Sequence, residues 1–206
     1  MRRITDDLSP RSIHDIGCGE GSLLKSLAEA HPGAKASGSE IAENALALAR
    51  RNLPGAAFTV CDVSQRPLDH SFDLVVCADV VEHIADDDAA LHNMVRMTNP
   101  GGHVVVATLQ GRMRRFEPDV GHVRNYAKGE LEAKMQRAGL TIDRRIAWGF
   151  PLFSPLYRNL LEVLGNRGTM GRFGPGKKLL SQLIYTAFLF NSSRAGDYLF
   201  VRGRKA

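Results

Sequence analysis

The sequence predicts a doubly wound α/β fold, and three features of the chain support this. Short apolar segments alternate with segments of helical periodicity from about residue 12 to residue 140, the pattern of parallel strands joined by crossover helices. Two of the apolar segments, "DLVVCA" and "HVVVAT", are apolar at successive positions, as expected for strands covered by helices on both faces. Pro-Gly turns separate helical patterns from the strands that follow, and they lie at residues 31–33, 53–55 and 99–102.

The predicted elements alternate along the chain. Five strands are expected at Ser12–Ile16, Lys35–Ser39, Ala57–Cys61, Phe72–Ala78 and Gly102–Leu109. Helical patterns cover Ser22–Ala30, Ala42–Asn52, Asp86–Thr98 and Lys128–Ala138. Two more strands are expected at Thr141–Trp148 and Asp197–Arg202. The acidic run at residues 86–88 opens a helix, where acids complement the helix dipole and cap free N–H groups, so we favour capping over a metal site there.

A long connection separates the last two predicted strands. It holds helical patterns around Leu156–Leu164 and Leu179–Phe190, with a glycine-rich stretch at residues 165–176 between them. Connections of this length in compact domains often serve as lids or binding loops. We therefore predict one domain over residues 1–206 with a helical insertion at 151–191, a lid or substrate-binding element.

Composition limits the functional classes. The 206 residues are 44% apolar, enough for one globular core, and the three cysteines favour a reducing, cytoplasmic setting over a disulfide framework. We see no secretory signal, and the longest apolar run, Leu179–Phe190, is shorter than the roughly 20 residues of a membrane-spanning helix. The net charge of +5 is scattered, which favours ordinary solvated charge over a nucleic-acid surface.

The stretch "IHDIGCGEGSLL", residues 13–24, places a glycine-rich turn between a strand and a helix. Such turns direct backbone N–H groups toward a ligand. The spacing Gly17-x-Gly19-x-Gly21 differs from the dinucleotide fingerprint G-x-G-x-x-G, and Asp15 stands two residues before the first glycine. A carboxylate there repels a pyrophosphate and attracts an ammonium group, so the turn favours a nucleoside that carries an amino acid.

Two more acids follow strands at matching positions. Glu40, next to Ile41, ends the second strand about twenty residues past the glycines, where an acid can accept hydrogen bonds from both ribose hydroxyls. Asp62 and Val63 follow the third strand and offer a carboxylate for an adenine amine beside an apolar contact for the ring. Asp79 follows the fourth strand and closes the crevice.

In this order, "DIGCGEG", "SEI", "CDV", "FDLVVCADVVEHI" and "NPGGHVVV" resemble the class I S-adenosylmethionine-dependent methyltransferases, in particular the small-molecule group with a Glu-His pair after strand four. The resemblance covers roughly residues 12–140. It implies a seven-stranded sheet of order 3-2-1-4-5-7-6 with strand seven antiparallel. It also implies S-adenosylmethionine as the cofactor and no metal. The implied cofactor residues are Asp15, Gly17, Cys18, Gly19, Glu40, Ile41, Asp62, Val63 and Asp79.

Methyl transfer needs alignment, exclusion of water and, for a hydroxyl or protonated amine, a base. The family places a histidine like His83 beside the substrate, and its segment after strand five resembles residues 121–126, which hold His122 and Tyr126. We therefore expect these three residues on the acceptor side. A packing or capping role for His83 is an equal alternative.

The sequence does not identify the acceptor molecule. We expect methyl transfer to oxygen, nitrogen or carbon of a small organic molecule, as in secondary metabolism. A nucleic-acid substrate is disfavoured, because the chain has neither an N-P-P-Y-type motif nor a Pro-Cys nucleophile. One alternative is a lipid or quinone-like acceptor at a membrane surface, contacted through residues 151–191 with Arg172, Lys177 and Lys178. Another is a regulatory module that binds the cofactor without transferring methyl groups. The oligomeric state is not predicted.

Overall fold

The computed structural model describes residues 1–164 and 174–206. Arg172 and the side chain of Lys177 lie outside this described part. Seven strands form one sheet of order β3-β2-β1-β4-β5-β7-β6, in which β7 runs antiparallel to β5 and β6. The predicted α/β class, strand order and direction of β7 are thereby confirmed. The strands are β1 (Ser12–Ile16), β2 (Lys35–Glu40), β3 (Ala57–Val60), β4 (Phe72–Ala78), β5 (Thr98–Leu109), β6 (Leu140–Trp148) and β7 (Tyr198–Lys205).

Helices cover both faces of the sheet. The α-helices are α1 (Arg2–Thr5), α2 (Ser22–Ala30), α3 (Glu43–Asn52), α4 (Asp87–Arg96), α5 (Glu130–Arg137), α6 (Arg158–Leu164) and α7 (Pro175–Phe188). A π-helical segment, Leu152–Tyr157, leads into α6, and 3-10 turns lie at Val81–His83 and Pro118–Val120. The sequence patterns did not predict α1, because four residues are too few to show a period. Within the described ranges, no helix has the length and hydropathy needed to cross a bilayer.

The core consists of two apolar layers, one on each face of the sheet. On one face, Val75 and Val104 of the central strands pack with Met94 of α4 and Met135 of α5. On the other face, Leu74, Val76 and Val105 pack with the α2 leucines Leu24 and Leu27 and with Ile4. Neighbouring residues of one strand therefore point into different layers, which explains why these strands are apolar at successive positions.

The start of β5 differs from the prediction. Residues 99–102 were expected to form a turn before the strand, but β5 already begins at Thr98, which pairs with Phe72. Regular pairing resumes at Leu74 with His103, so the segment forms an irregularity inside the strand. Backbone oxygens would lie 2.9 Å from a Cβ at Gly102, so the close approach of two chain segments requires glycine there.

The acidic run at residues 86–88 caps α4, as predicted. Asp86 is the N-cap residue, and its Oδ1 accepts a hydrogen bond from the backbone N–H of Ala89 at 2.9 Å. Asp87 is buried and pairs with Arg124 and Lys134. Asp86 therefore caps the start of the helix, and Asp87 anchors it to neighbouring segments.

Candidate active site

The glycine turn lies at the carboxyl end of β1 and leads into α2. Gly17, Gly19 and Gly21 all have positive φ, at 65°, 52° and 83°, a region that residues other than glycine rarely occupy. A Cβ at Gly17 would overlap the side chain of Val80, whereas a Cβ at Gly19 would meet nothing within 4 Å. The turn is therefore packed against the loop after β4 at Gly17 and is open for a ligand at Gly19.

Asp15 lies beneath this turn and is 1% exposed. Its Oδ2 has no hydrogen-bond partner among the described residues. Burial, with a smaller effect from the negative charge of Glu40, raises the pKa of Asp15 to about 8. A buried carboxyl without a partner is costly, and a cationic ligand group would satisfy it. This arrangement fits the amino group of S-adenosylmethionine.

Glu40 ends β2 and faces the glycine turn. Its Oε2 accepts a hydrogen bond from Gly19 N at 3.2 Å, and its Oε1 accepts from Ile41 N at 2.8 Å and from Ala42 N at 3.2 Å. These backbone bonds fix the carboxylate while leaving lone pairs for ribose hydroxyls. The side chain of Ile41 is 68% exposed, so it is available to pack on a ligand.

The pair after β3 divides into an exposed and a buried residue. Asp62 is exposed, and its Oδ1 accepts from the backbone N–H and the hydroxyl of Ser64, at 2.9 and 2.7 Å. Val63 is 4% exposed and belongs to the core, and its carbonyl accepts from Asn93 at 2.8 Å. The expected contact of the Val63 side chain with an adenine ring does not fit this burial, since the core already occupies that side chain.

Cys18 contributes its backbone to the turn. Its N–H donates to Ser39 O at 3.0 Å. Its thiol is buried and packs against β2, where a Cβ at Gly38 would lie 2.8 Å from Sγ. Burial is the main cause that raises the pKa of the thiol to about 12. The side chain is therefore a neutral packing group, and the ligand side of the turn is formed by backbone.

Asp79 lies between the cofactor side and the acceptor side of the site. Its φ of 54° is unusual for a residue other than glycine. The hydroxyl of Tyr198 donates to both carboxylate oxygens, each at 2.7 Å. Desolvation raises the pKa of Asp79, while this hydrogen bond opposes the rise. The strained backbone aims a carboxylate across the crevice, and Tyr198 holds it there.

Two histidines and a glutamate meet beside Asp79. The rings of His83 and His122 contact edge to face with centroids 4.7 Å apart, and Nδ1 of His83 lies 3.0 Å from Gly121 O. Glu82 is 1% exposed, and one of its oxygens accepts from Thr108 at 2.8 Å. Burial is the largest cause that raises the pKa of Glu82 to about 7, and burial lowers the pKa of His122.

This trio offers both a proton acceptor and, by geometry, ligand atoms for a metal ion. The predicted pair His83 and His122 is brought together, and a neutral His122 can accept a proton near pH 7. One potential ligand atom from each of Glu82, His83 and His122 lies within 4.8 Å of the others.

Tyr126 does not lie at the site. It is fully buried in the core, and its hydroxyl donates to Asp87 at 2.9 Å. The expectation that Tyr126 contacts the acceptor is therefore corrected. The residue anchors the segment after β5 to the start of α4, because a buried hydroxyl needs a hydrogen-bond partner.

A large apolar cavity of about 1120 Å³ lies on the α2 face, between α1, α2, the ends of β6 and β7, and the insertion. Aromatic rings from separate segments form much of its wall. Phe153 contacts Trp148, Phe188 and Tyr198, with centroids 5.1, 5.5 and 6.2 Å away. Tyr198 thus lines the cavity with its ring and reaches Asp79 with its hydroxyl. Further lining residues are Leu23, Ile146, Tyr157, Leu160, Leu161, Leu180, Ile184, Tyr185 and Phe200.

Sequence reasoning missed Tyr198 as a site residue. A tyrosine at the start of β7 belongs to no sequence motif, and its partner Asp79 is 119 residues away. The available signal was the apolar, aromatic character of the insertion, which indicated a pocket wall without indicating what the wall faced.

Comparison with known proteins places this site in a family context. Residues 14–106 match a family model described as a methyltransferase domain. The chain is 33% identical over 118 residues to a ubiquinone biosynthesis O-methyltransferase from Alkalilimnicola ehrlichii, covering 53% of this chain and 46% of that protein. It is 30% identical to the protein of the same description from Azoarcus, covering 53% and 48%. The chain thus spans about half the length of these curated relatives.

Solved structures share the fold over nearly the whole chain. The N-methyltransferase NodS from Bradyrhizobium japonicum with S-adenosylhomocysteine matches with a TM-score of 0.63 at 19% identity, covering 99% of this chain and 82% of that one. The [4+2]-cyclase SpnF matches with a TM-score of 0.68 at 18% identity, covering 99% and 78%. At these identities the likeness concerns the fold alone. A seven-stranded fold of this kind therefore supports more than one chemistry.

Proposed function

The chain belongs to the class I S-adenosylmethionine-dependent methyltransferases, and from this premise we propose that it methylates a small organic acceptor with a large apolar part. The cofactor supplies an electrophilic methyl group when bound. Asp15 then pairs with its amino group, and Glu40 accepts hydrogen bonds from its ribose. The acceptor's apolar part lies against the ring cluster around Phe153.

The observation that carries this proposal is the apolar cavity and its link to the cofactor side through Tyr198. A pocket of about 1120 Å³ lined by aromatic and aliphatic side chains favours ligands that bury much apolar surface. Each methylene removed from water contributes roughly 0.8 kcal/mol, so a long apolar substituent would bind well here.

We propose oxygen as the methylated atom. The relatives described as ubiquinone biosynthesis O-methyltransferases support this choice, and the site offers proton acceptors for a hydroxyl. His122 has a lowered pKa, which keeps its imidazole neutral near pH 7. His83 orients the ring of His122 by its edge-to-face contact. Proton removal by a positioned imidazole as the methyl moves is general base catalysis.

An apolar acceptor of this kind, quinone-like or lipid-like, would partition into membranes, and the insertion presents a suitable surface. Large apolar side chains of the insertion are exposed, among them Leu179 and Leu183 of α7 and Leu189, which follows α7, at 59%, 60% and 82%. Exposed apolar patches of this kind mark interaction sites. We propose that this surface contacts a bilayer peripherally while the cavity receives the acceptor.

Purified protein with radiolabelled S-adenosylmethionine tests the proposal. Two catechols with the same reactive ring are compared, one unsubstituted and one carrying a prenyl chain. We expect kcat/KM for the prenylated catechol to be at least about tenfold higher, from the burial of two or more methylenes. Equal rates would contradict a role for the cavity. If the cavity holds the prenyl chain, Phe153→Ala lowers the ratio of kcat/KM for the prenylated catechol to that for the unsubstituted one. Leu183→Ala, on the exposed face, leaves this ratio unchanged in the absence of membranes.

The alternative of a regulatory module that binds the cofactor without transferring methyl groups predicts a different experimental result. Calorimetry would detect binding of the cofactor, and no acceptor, including fatty and aromatic alcohols and amines, would yield S-adenosylhomocysteine. That outcome would favour a regulatory module on the same fold.

A further inference from the structure

A buried ion-pair network joins the insertion to the loop that carries His122. Arg158, the first residue of α6, is 2% exposed. Its guanidinium contacts the carboxylates of Glu117 and Asp197. Glu117 is fully buried at the start of the 3-10 turn before His122, and Asp197 immediately precedes Tyr198. One side chain of the insertion therefore reaches both sides of the acceptor site.

Glu117 holds the backbone of this loop. Its carbonyl accepts hydrogen bonds from Val120 N and His122 N, each at 3.1 Å. Its carboxylate accepts from Arg114 N at 2.6 Å and from Asn125 Nδ2 at 2.9 Å. The position of His122 thus depends on where Glu117 lies.

The network contains two positive and two negative side chains. Arg158 and Arg114 face Glu117 and Asp197, and Arg114 contacts Asp197 at 3.2 Å with only 9% of its side chain exposed. Removal of one partner from a buried ion pair is far costlier than replacement of the whole pair, since a charge stays buried without compensation. Withdrawal of the insertion would leave Glu117 in that state, so the insertion and the loop are expected to move together.

We infer that Arg158 is a positioning residue, which ties the insertion that walls the cavity to the loop that presents His122. The cavity and the histidine pair are therefore assembled in one step. The kinetic part of this inference rests on the proposed function, while the structural part does not.

A second ion pair between the same two segments provides a matched control. Arg112 contacts Glu162 of α6, but its side chain is 67% exposed. An ion pair with one partner this exposed contributes little because solvent screens it. Arg112→Gln and Arg158→Gln remove the same charge from the same junction, one at the surface and one in the interior.

The two variants are compared by hydrogen–deuterium exchange of the full chain without substrates. We expect amides of residues 117–123 to exchange at least tenfold faster in Arg158→Gln, with those of β1 and β4 unchanged. Arg112→Gln should stay within twofold of the wild type throughout. Arg158→Lys, which can pair with one acid at a time, should give an intermediate rate and replaces Arg158→Gln if that variant does not fold.

Kinetics then separate positioning from simple stability. In Arg158→Gln we expect kcat to fall at least tenfold while the cofactor affinity, measured by calorimetry, changes less than twofold, because Asp197 keeps its contact with Arg114. Unchanged exchange at residues 117–123 would overturn the inference whether or not the protein turns over. Faster exchange with unchanged kcat would overturn the catalytic part. If the wild-type chain transfers no methyl group, the proposed function fails, and exchange alone decides whether Arg158 holds the loop.

Discussion

The two sides of the site are held together by different kinds of interaction. On the cofactor side, Asp15, the glycine turn and Glu40 lie within 26 residues of each other in the sequence, and backbone hydrogen bonds fix them. On the acceptor side, contacts join residues far apart in the chain: Arg158 to Glu117 across 41 residues, and Tyr198 to Asp79 across 119. The cofactor side depends on local backbone geometry, and the acceptor side depends on long-range side-chain contacts.

This difference implies different responses to mutation. A glycine whose φ and surroundings exclude a Cβ has no tolerated substitute, so a small change on the cofactor side removes ligand binding. A polar contact on the acceptor side can be removed while the surrounding rings stay packed, so its loss has a graded effect. Three substitutions test this contrast, beginning with the largest expected effect.

Gly17→Ala should weaken cofactor binding at least about 30-fold, because the turn must shift to relieve left-handed strain of roughly 1–2 kcal/mol and overpacking of roughly 1–3 kcal/mol. The added Cβ would overlap Val80, next to Asp79. Calorimetry with S-adenosylmethionine measures the loss. Gly33→Ala, where a Cβ meets nothing within 4 Å and φ is not positive, is the control and should bind normally. Wild-type affinity in Gly17→Ala would contradict the geometry of the turn.

Asp15→Asn should weaken cofactor binding by roughly 10- to 100-fold, the range for a lost hydrogen bond between charged groups. The same change should stabilise the ligand-free protein at high pH. Burial raises the pKa of Asp15 to about 8, above its unfolded value of about 3.9. The folded state therefore binds the proton more tightly, and stability is lost as pH rises toward and through 8.

Thermal unfolding of both proteins between pH 5 and pH 9 measures this effect. The melting temperature of Asp15→Asn, relative to that of the wild type, should rise as pH increases. A difference in melting temperature that does not vary with pH would contradict a buried, protonated Asp15. Calorimetry in two buffers of different ionisation enthalpy adds a second measure. At pH 7 the wild type should release close to one proton on binding the cofactor, and Asp15→Asn should release less.

The same contrast explains which features the sequence revealed. The strands, the glycine turn and the positions of Asp15 and Glu40 beside it were predictable, since strand periodicity and turn chemistry are local properties of the chain. The strand order, which is not local, was implied by the family resemblance. His83 and His122 were predicted from resemblance, and the structure does bring their rings together. Tyr126 was misplaced, because a tyrosine near the right segment can point into the core or into the site with the same neighbours in sequence.

The buried ion pairs of Arg158 on the acceptor side were not predicted, and the reason is physical. Arg158 stands in a segment of otherwise ordinary helical pattern, and its burial follows only from where Glu117 and Asp197 meet in space. A buried arginine has no sequence signature, since most arginines are exposed. The irregularity at the start of β5 was likewise hidden, because Asn-Pro-Gly-Gly also fits an ordinary turn.

Tyr198→Phe should produce the smallest effect, about a fivefold loss of cofactor affinity at pH 7, corresponding to roughly 1 kcal/mol for one hydrogen bond. The ring contacts with Trp148 and Phe153 remain, while Asp79 loses the hydroxyl that holds its pKa down. The pKa of Asp79 should therefore rise, and calorimetry at several pH values measures whether the loss of affinity depends on pH.

Phe153→Leu provides the matched comparison, because it changes the same ring cluster and removes no polar contact. It should raise the KM for an apolar acceptor and leave cofactor affinity unchanged at every pH. If Tyr198→Phe shows a loss of cofactor affinity that does not vary with pH, Tyr198 acts on the position of Asp79 and not on its charge. If both variants alter cofactor affinity equally, the ring cluster supports the cofactor side directly. It would then be wrong that local backbone geometry alone holds the cofactor side while long-range side-chain contacts hold the acceptor side.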